Sequence, residues 1–129
     1  MVKYDPFGNL LWQRAFDDLK SPISGGMDII FSNSGDSYLL GVSGNYVLRE
    51  DGSPNWSETQ RDSFITKFDK FGNRLWTEYL DTSSYELPHE MTQDSEGQIY
   101  ITGRSIYENN EQGTWTDGDM FIAKFRELQ

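Results

Sequence analysis

The chain has 129 residues, no cysteine and a formal net charge of −10 at pH 7. This length allows one domain with its own core. The lack of cysteine excludes disulfides, thiolate metal sites and a cysteine nucleophile. The acidic charge disfavours nucleic-acid binding because it repels phosphate backbones. No apolar run approaches the roughly 18 residues needed to span a bilayer, and the N-terminal residues do not form a signal peptide.

The first predicted elements are two strands in residues 1–16, joined by a tight turn. The second of these strands is predicted over Leu10–Phe16, where apolar and aromatic residues dominate. Between them, Asp5 can start a turn, and the pair Gly8-Asn9 supplies a position with positive φ. This composition predicts a β-hairpin.

Four strands are predicted next, over 27–80. They are Met27–Phe31, Ser37–Val42, Phe64–Phe68 and Arg74–Leu80. Three further strands are predicted over 89–125, at His89–Thr92, Gln98–Thr102 and Phe121–Phe125. No segment shows a helical period with caps, so the sequence predicts an all-β chain.

The predicted strands belong to an internal repeat with a period of about 60 residues. The order Lys, aromatic, Asp, any residue, Phe-Gly-Asn, any residue, Leu-Trp occurs in 2–12 and again in 66–76. The segment 119–125 matches 62–68, and 33–41 matches 94–103 with a turn that differs by one residue. Two interleaved motifs that recur in order predict a repeat architecture of antiparallel sheets.

These residues resemble the bacterial seven-bladed β-propeller repeat (SBBP) family. Its repeat reads Asp-x-Phe-Ile-x-Lys-aromatic-Asp-x-x-Gly-Asn-x-Leu-Trp, followed by Asp-x-x-Gly-Asn-x-Tyr-Val-x-Gly. Asp62–Trp76 and Asp94–Gly103 match this pattern, whereas in 33–41 Asn33 replaces the Asp and the Gly-Asn pair is displaced. The resemblance implies β-propeller-type repeats with about two four-stranded antiparallel blades, and an extracellular or cell-surface location.

On this resemblance, the chain forms a single propeller-repeat unit with three parts. Residues 1–16 give the outer two strands of one blade, 27–80 a complete blade, and 89–125 three strands of another. Trp12 and Trp76 occupy equivalent outer strands and are predicted to pack between blades. The open edge along Phe121–Phe125 needs a partner. We expect either the rest of a longer propeller chain or copies of this chain that complete a ring.

The long connections are predicted to lie at one end of the blades, opposite the tight turns. They are 17–26, 44–61, 81–88 and 105–118. The two longest each hold a Tyr, a Trp and nearby acids, which makes them candidates for ligand binding. The candidate residues are Tyr46, Trp56, Glu58, Tyr107, Trp115 and Asp117. Aromatic faces beside carboxylates suit a carbohydrate; the alternative is that these rings pack the loops onto the blades.

No metal site or other cofactor is predicted, with calcium as the open alternative. Its weak candidates, which offer hard oxygen ligands, are Asp62, Asp94, Glu96 and Asp119. No run matches an EF-hand loop, and an Asp at a turn start usually bonds its own backbone.

A non-enzymatic binding or scaffold module, with a carbohydrate or protein ligand, is the function that the repeated loops favour. The sequence contains no nucleophile triad in a supporting context, no Gly-rich phosphate loop and no histidine cluster. Two alternatives stay open: a structural fragment of a larger propeller with no activity of its own, and a propeller hydrolase or lyase.

Overall fold

The computed structural model describes residues 1–15, 23–45, 47–53, 55, 60–80, 85–109, 114–116 and 118–125. These residues form strands and turns without a helix, so the all-β prediction is confirmed. The strands, in chain order, are β1 Val2–Tyr4, β2 Leu10–Gln13, β3 Ile23–Phe31, β4 Ser37–Asn45, β5 Gln60–Phe68, β6 Arg74–Leu80, β7 Tyr85–Gln93, β8 Ile99–Asn109, β9 Thr114–Thr116 and β10 Met120–Phe125.

The strands form three antiparallel sheets, and each strand pairs with neighbours that lie close to it in sequence. The first sheet is the meander β3-β4-β5-β6. The second sheet has the order β10-β8-β7, with β9 paired to the far part of β8. Strands β1 and β2 form a separate hairpin, which we call the N-terminal hairpin. Antiparallel order follows from the tight turns, because a short turn can join only antiparallel neighbours.

The first and second sheets repeat each other in register. In both, the first strand carries a bulge: the pairing shifts at Met27 in β3 and at His89 in β7. A glycine in the second strand then lies opposite a phenylalanine in the third, in the pairs Gly41–Phe64 and Gly103–Phe121. A bulge bends and twists a strand locally. The repeated motif therefore encodes the same curvature twice.

The structure corrects the sequence alignment at one turn. An alignment of Asn33 with Asp94 requires a turn shorter by one residue. The backbone N–H of Ser32 donates to the Asp36 carbonyl, as the N–H of Asp94 donates to the Gln98 carbonyl. Ser32 therefore takes the place of the Asp, and the two turns have equal length. The Ser32 hydroxyl lies 2.7 Å from the Ser34 hydroxyl. Serine, like aspartate, can start a turn through a local side-chain hydrogen bond.

Several predicted strand bounds were wrong. The strand predicted over Leu10–Phe16 ends at Gln13, and Phe16 lies outside the described residues. The first strand of each of the two larger sheets is longer than predicted, since β3 begins at Ile23 and β7 at Tyr85. Their Gly, Ser and Pro content lowers β-propensity, but pairing with β4 and β8 overrides a local preference of this size.

The core lies between the first and second sheets. Its buried residues are Tyr38, Leu40 and Ile65 from the first sheet and Met91, Ile99 and Ile101 from the second. Trp76, on β6, reaches across the interface: its ring centroid lies 5.5 Å from that of Phe125 on β10 and 6.0 Å from that of Tyr38. Aromatic contacts at these distances add to the free energy gained from apolar burial. The two sheets thus form one packed unit.

A polar contact fixes how the two sheets align. Asp28, next to the bulge in β3, accepts a hydrogen bond from the backbone N–H of Met91 at 2.8 Å through Oδ2. Its other oxygen accepts from the N–H of Ile29, also at 2.8 Å. A carboxylate that bonds amides of both β3 and β7 holds these strands level, because a slip would leave a partly buried charge without its partner.

Gly41 tests the repeated glycine–phenylalanine pair. A Cβ at this position would overlap the Phe64 ring and the Gly25 carbonyl oxygen. We expect Gly41→Ala to lower the free energy of unfolding by about 2 kcal/mol, since overpacking forces backbone shifts. Gly25→Ala is the matched control, because a Cβ there meets no atom within 4 Å. Urea denaturation measures both, and equal effects would contradict the steric explanation.

Candidate functional site

The sheets have two different ends, and they differ in what their side chains can offer a ligand. One end carries the tight turns between β1 and β2, β3 and β4, β5 and β6, and β7 and β8. The other carries the connections between β4 and β5 and between β8 and β10. We call them the turn end and the connection end.

The carboxylates at the turn end are used by the turns themselves. In the turn 69–73, Oδ1 of Asp69 accepts from the backbone N–H groups of Phe71 and Asn73, at 2.9 and 2.8 Å. Oδ2 accepts from the side-chain amide of Asn73 at 2.8 Å. Gly72 has a φ of 82°, the left-handed conformation that closes a hairpin turn with a bulge. The Asp and the Gly therefore act together to form the turn.

The same arrangement recurs in other turns. Asp5 bonds the N–H groups of Phe7 and Asn9 and the side chain of Asn9 at the same distances as its counterpart Asp69. Asp94 bonds two backbone N–H groups of its own turn, and the Tyr100 hydroxyl donates to it at 3.1 Å. Each of these carboxylates accepts three hydrogen bonds within its own hairpin.

These bonds shift the titration of the carboxylates. The side-chain amide and the backbone N–H of Asn73 hold the pKa of Asp69 below its ordinary value. Asn9 does the same to the pKa of Asp5, and the backbone N–H of Gln98 is the main cause that lowers the pKa of Asp94. Hydrogen bonds to the charged form stabilise it, so the turns favour ionised Asp.

The four weak calcium candidates fall at opposite ends of the sheets. Asp94 and Glu96 belong to the turn between β7 and β8, where the Glu96 carboxylate accepts from the Gln98 side chain at 3.1 Å. Asp62 lies at the connection end of β5, opposite Ser43. The Asp119 carbonyl, just before β10, accepts from the N–H and the hydroxyl of Ser105. Within the described ranges, no three acidic or histidine side chains form a group suited to a metal ion.

The connection end contains more regular structure than the sequence predicted. β4 and β5 stay paired as far as Asn45 and Gln60, inside the segment predicted as the loop 44–61. Beyond them, a turn over Arg49–Ser53 has the same backbone hydrogen bonds as the turns at the turn end, and Gly52 has a φ of 80°. Asp51-Gly52 is the sequence signal for this turn, which lies inside the segment predicted as the loop 44–61.

The segment predicted as the loop 105–118 also contains strands. β8 continues to Asn109 and pairs there with β9, which forms a two-stranded ribbon at the connection end. Tyr107 is opposite Thr116 and Trp115 is opposite Glu108, so these two candidate residues lie one register step apart and occupy positions on opposite faces of the ribbon. Paired strands hold residues at fixed spacing, which an irregular loop does not.

The other four candidate residues lie outside the described residues: Tyr46, Trp56, Glu58 and Asp117. The ribbon is consequently the part of the candidate site that has a described backbone. It combines a Tyr, a Trp and one acidic residue, Glu108, on two paired strands.

Comparisons with known proteins add no assignment, since no protein-family model, curated protein or solved structure matches this chain. Among the residues with described coordinates, no helix has the length and apolar character required to cross a bilayer.

The Asp turns predict a pH dependence of stability. A carboxylate whose pKa is lower in the folded chain stabilises the fold above the unfolded-state pKa, and this contribution is lost as the pH falls through the folded-state pKa. We expect Asp69→Asn to lower the urea midpoint near pH 7, and the difference from the unchanged chain to shrink below about pH 4.

A second variant tests whether the hydrogen bond from Asn73 to the Asp69 carboxylate causes the pH dependence. Asn73→Ala removes the side-chain donor that contributes most to the lowered pKa of Asp69. It should make the unfolding midpoint less dependent on pH between about pH 5 and pH 2, with Asp69 still present. A difference between Asp69→Asn and the unchanged chain that stays constant with pH would show that the carboxylate charge plays no role.

Proposed function

We propose that the chain is a non-enzymatic scaffold and binding module of the β-propeller type, with its ligand at the connection end. The ligand is a carbohydrate or a protein surface. The repeated bulges, turns and glycine–phenylalanine pairs of the two sheets support successive blades of one architecture. The stacking of Trp76 on Phe125 supports face-to-face packing of such blades.

The observation that carries the proposal is the ribbon of β8 and β9. It extends the second sheet past Arg104, the β8 residue opposite the first residue of β10. At the turn end, by contrast, the carboxylates of Asp5, Asp69 and Asp94 are bonded within their own turns. The connection end is therefore the better source of aromatic and acidic groups for a ligand.

A carbohydrate fits the chemistry of this end. Aromatic rings stack against the apolar faces of sugar rings, and carboxylates and amides accept or donate hydrogen bonds to hydroxyl groups. The ribbon places Trp115 opposite the acidic Glu108 on one of its faces, and Tyr107 opposite Thr116 on the other. A strand pair fixes the backbone at these positions before a ligand arrives, which reduces the entropy cost of binding.

The experiment is a glycan-array screen of the whole chain, followed by calorimetric titration of each glycan that binds, with and without calcium. We expect Trp115→Ala and Glu108→Gln, at paired positions on one face of the ribbon, each to weaken binding by about tenfold or more, and Tyr107→Ala, on the other face, to weaken it less. Phe7→Ala is the matched control, because Phe7 is 90% exposed in a turn at the other end.

The absence of saturable binding to glycans would contradict a carbohydrate ligand. Equal weakening by Phe7→Ala would contradict the location of the site at the connection end.

A further inference from the structure

Strand β10, at the edge of the second sheet, and strand β2, in the N-terminal hairpin, correspond to the two strands that pair as β5 and β6 in the first sheet. In the first sheet, β6 pairs with β5 and completes a four-stranded sheet. In the second sheet, β10 is the counterpart of β5, and within the described residues it pairs on one side only, with β8. An unpaired strand edge presents a row of free N–H and C=O groups that can bind another strand.

The exposure of β10 differs from that of β5 for a separate reason. Ile65 of β5 is fully buried at 0% exposure, because it lies on the face of the first sheet that packs against the second sheet. Ile122, its counterpart on β10, is 73% exposed, because it lies on the face of the second sheet that points away from the core. The exposure of Ile122 therefore reports an uncovered sheet face, and the open edge is shown by the one-sided pairing of β10.

The N-terminal hairpin repeats the pairing of β5 and β6. Lys3 is opposite Trp12 as Lys67 is opposite Trp76, and both hairpins have a register shift at the next position. Strand β2 is therefore a strand of the β6 type. Its present partner β1 has only 3 residues, and Tyr4 on that strand is 58% exposed, whereas its counterpart Phe68 is 2% exposed.

The hairpin contacts the first sheet at the turn 69–73, where the Trp12 ring lies over Gly72 and side chains of the hairpin donate hydrogen bonds to turn carbonyls. Trp12 Nε1 donates to the Lys70 carbonyl at 3.3 Å, and Arg14 Nε donates to the Gly72 carbonyl at 2.9 Å. Lys3 Nζ lies 3.5 Å from the same Lys70 carbonyl oxygen. A two-stranded hairpin is only marginally stable by itself, so the short β1 is a weak partner for β2.

We propose that β10 of one copy of this chain takes the place of β1 beside β2 of a second copy. The completed sheet has the order β7-β8-β10-β2, which matches β3-β4-β5-β6. β10 offers 6 residues for pairing where β1 offers 3. This inference goes beyond ligand binding at the connection end, and neither depends on the other.

The register of the first sheet gives the register of the exchanged pair. Thr66 is opposite Thr77, and their hydroxyl oxygens lie 2.9 Å apart. The corresponding residues are Ala123 on β10 and Gln13 on β2. One step along, Lys124 meets Trp12.

The expected contact between Lys124 and Trp12 has a counterpart within the first sheet. Lys67 lies over the Tyr38 ring at 5.3 Å, and the Trp76 ring lies 6.0 Å from the Tyr38 ring. In the second sheet, Lys124 lies over the Tyr100 ring at 5.2 Å. Trp12 of a second copy therefore supplies the tryptophan that the pair Lys124–Tyr100 lacks among the described residues.

The contact is head to tail, because the edge and the strand that covers it are different parts of the chain. Each copy can give β10 to one neighbour and receive β10 from another. Such contacts close into a ring if the rotation between copies allows it, and extend into a filament if it does not.

The experiment is disulfide cross-linking between copies, which the absence of native cysteine makes clean. Ala123→Cys and Gln13→Cys are made in separate chains, mixed and oxidised in a glutathione buffer. We expect disulfide-linked dimers of the two chains in the mixture and none in either chain alone, because only a head-to-tail contact brings these positions together.

Two controls define the register. Lys124→Cys mixed with Gln13→Cys should cross-link about tenfold more slowly, because neighbouring residues of a strand face opposite sides. Thr66→Cys with Thr77→Cys in one chain should form an internal disulfide, which shows that this register permits the bond.

Sedimentation of the chain without cysteine substitutions gives an independent measurement. The average mass should rise with protein concentration, and Trp12→Ala should weaken this association by about tenfold, since an aromatic contact at the new edge is lost. Phe7→Ala should leave it unchanged. A monomer at all concentrations together with no cross-link in the mixture overturns the proposal; loss of glycan binding by Trp115→Ala does not bear on it.

Discussion

The apolar contact between the first and second sheets is the interaction on which the rest of the structure depends. Neither sheet has a second apolar layer within itself, so each needs the other to remove its inner face from water. Leu40, Ile65, Ile99 and Ile101 are almost fully buried there. The Trp76 ring extends this contact to the last described strand, β10.

The repeat explains why one kind of interface serves several places in the chain. A sheet with one face packed and an equivalent open edge can add a further unit of the same type. The N-terminal hairpin carries the features of β5 and β6, including the Asp turn and the tryptophan. Binding of ligands at the connection end and association through strand edges are then separate properties of one scaffold.

Much of the fold could be predicted from the sequence because the turn signals are local. Asp69, Gly72 and Asn73 each form the bond or the φ value that their residue types favour. The strand ends could not be predicted, since Gly25 and Gly26 lie in β3 only because β4 pairs with them. Ser32 in place of an Asp was missed because only the hydrogen bonds reveal which residue starts the turn.

The candidate site was less predictable than the fold. The aromatic and acidic pattern identified Tyr107 and Trp115 but predicted them in a loop, and the structure has them on paired strands. The pairing of β8 with β9 is local, since Asn109 pairs with Thr114, but its residues are mixed polar and aromatic and give little strand signal. The role of Asp94, by contrast, could be predicted from the sequence, because its spacing to Gly97 is typical of a turn.

A double-mutant cycle between Trp76 and Phe125 tests the stacking of the two sheets most directly. The variants are Trp76→Leu, Phe125→Leu and the chain with both changes, and urea denaturation gives each free energy of unfolding. If the two rings contact each other across the sheets, the cycle should give a coupling energy of about 1 kcal/mol. Effects that add within about 0.3 kcal/mol would show that β6 and β10 do not pack together, and would contradict the stacked arrangement.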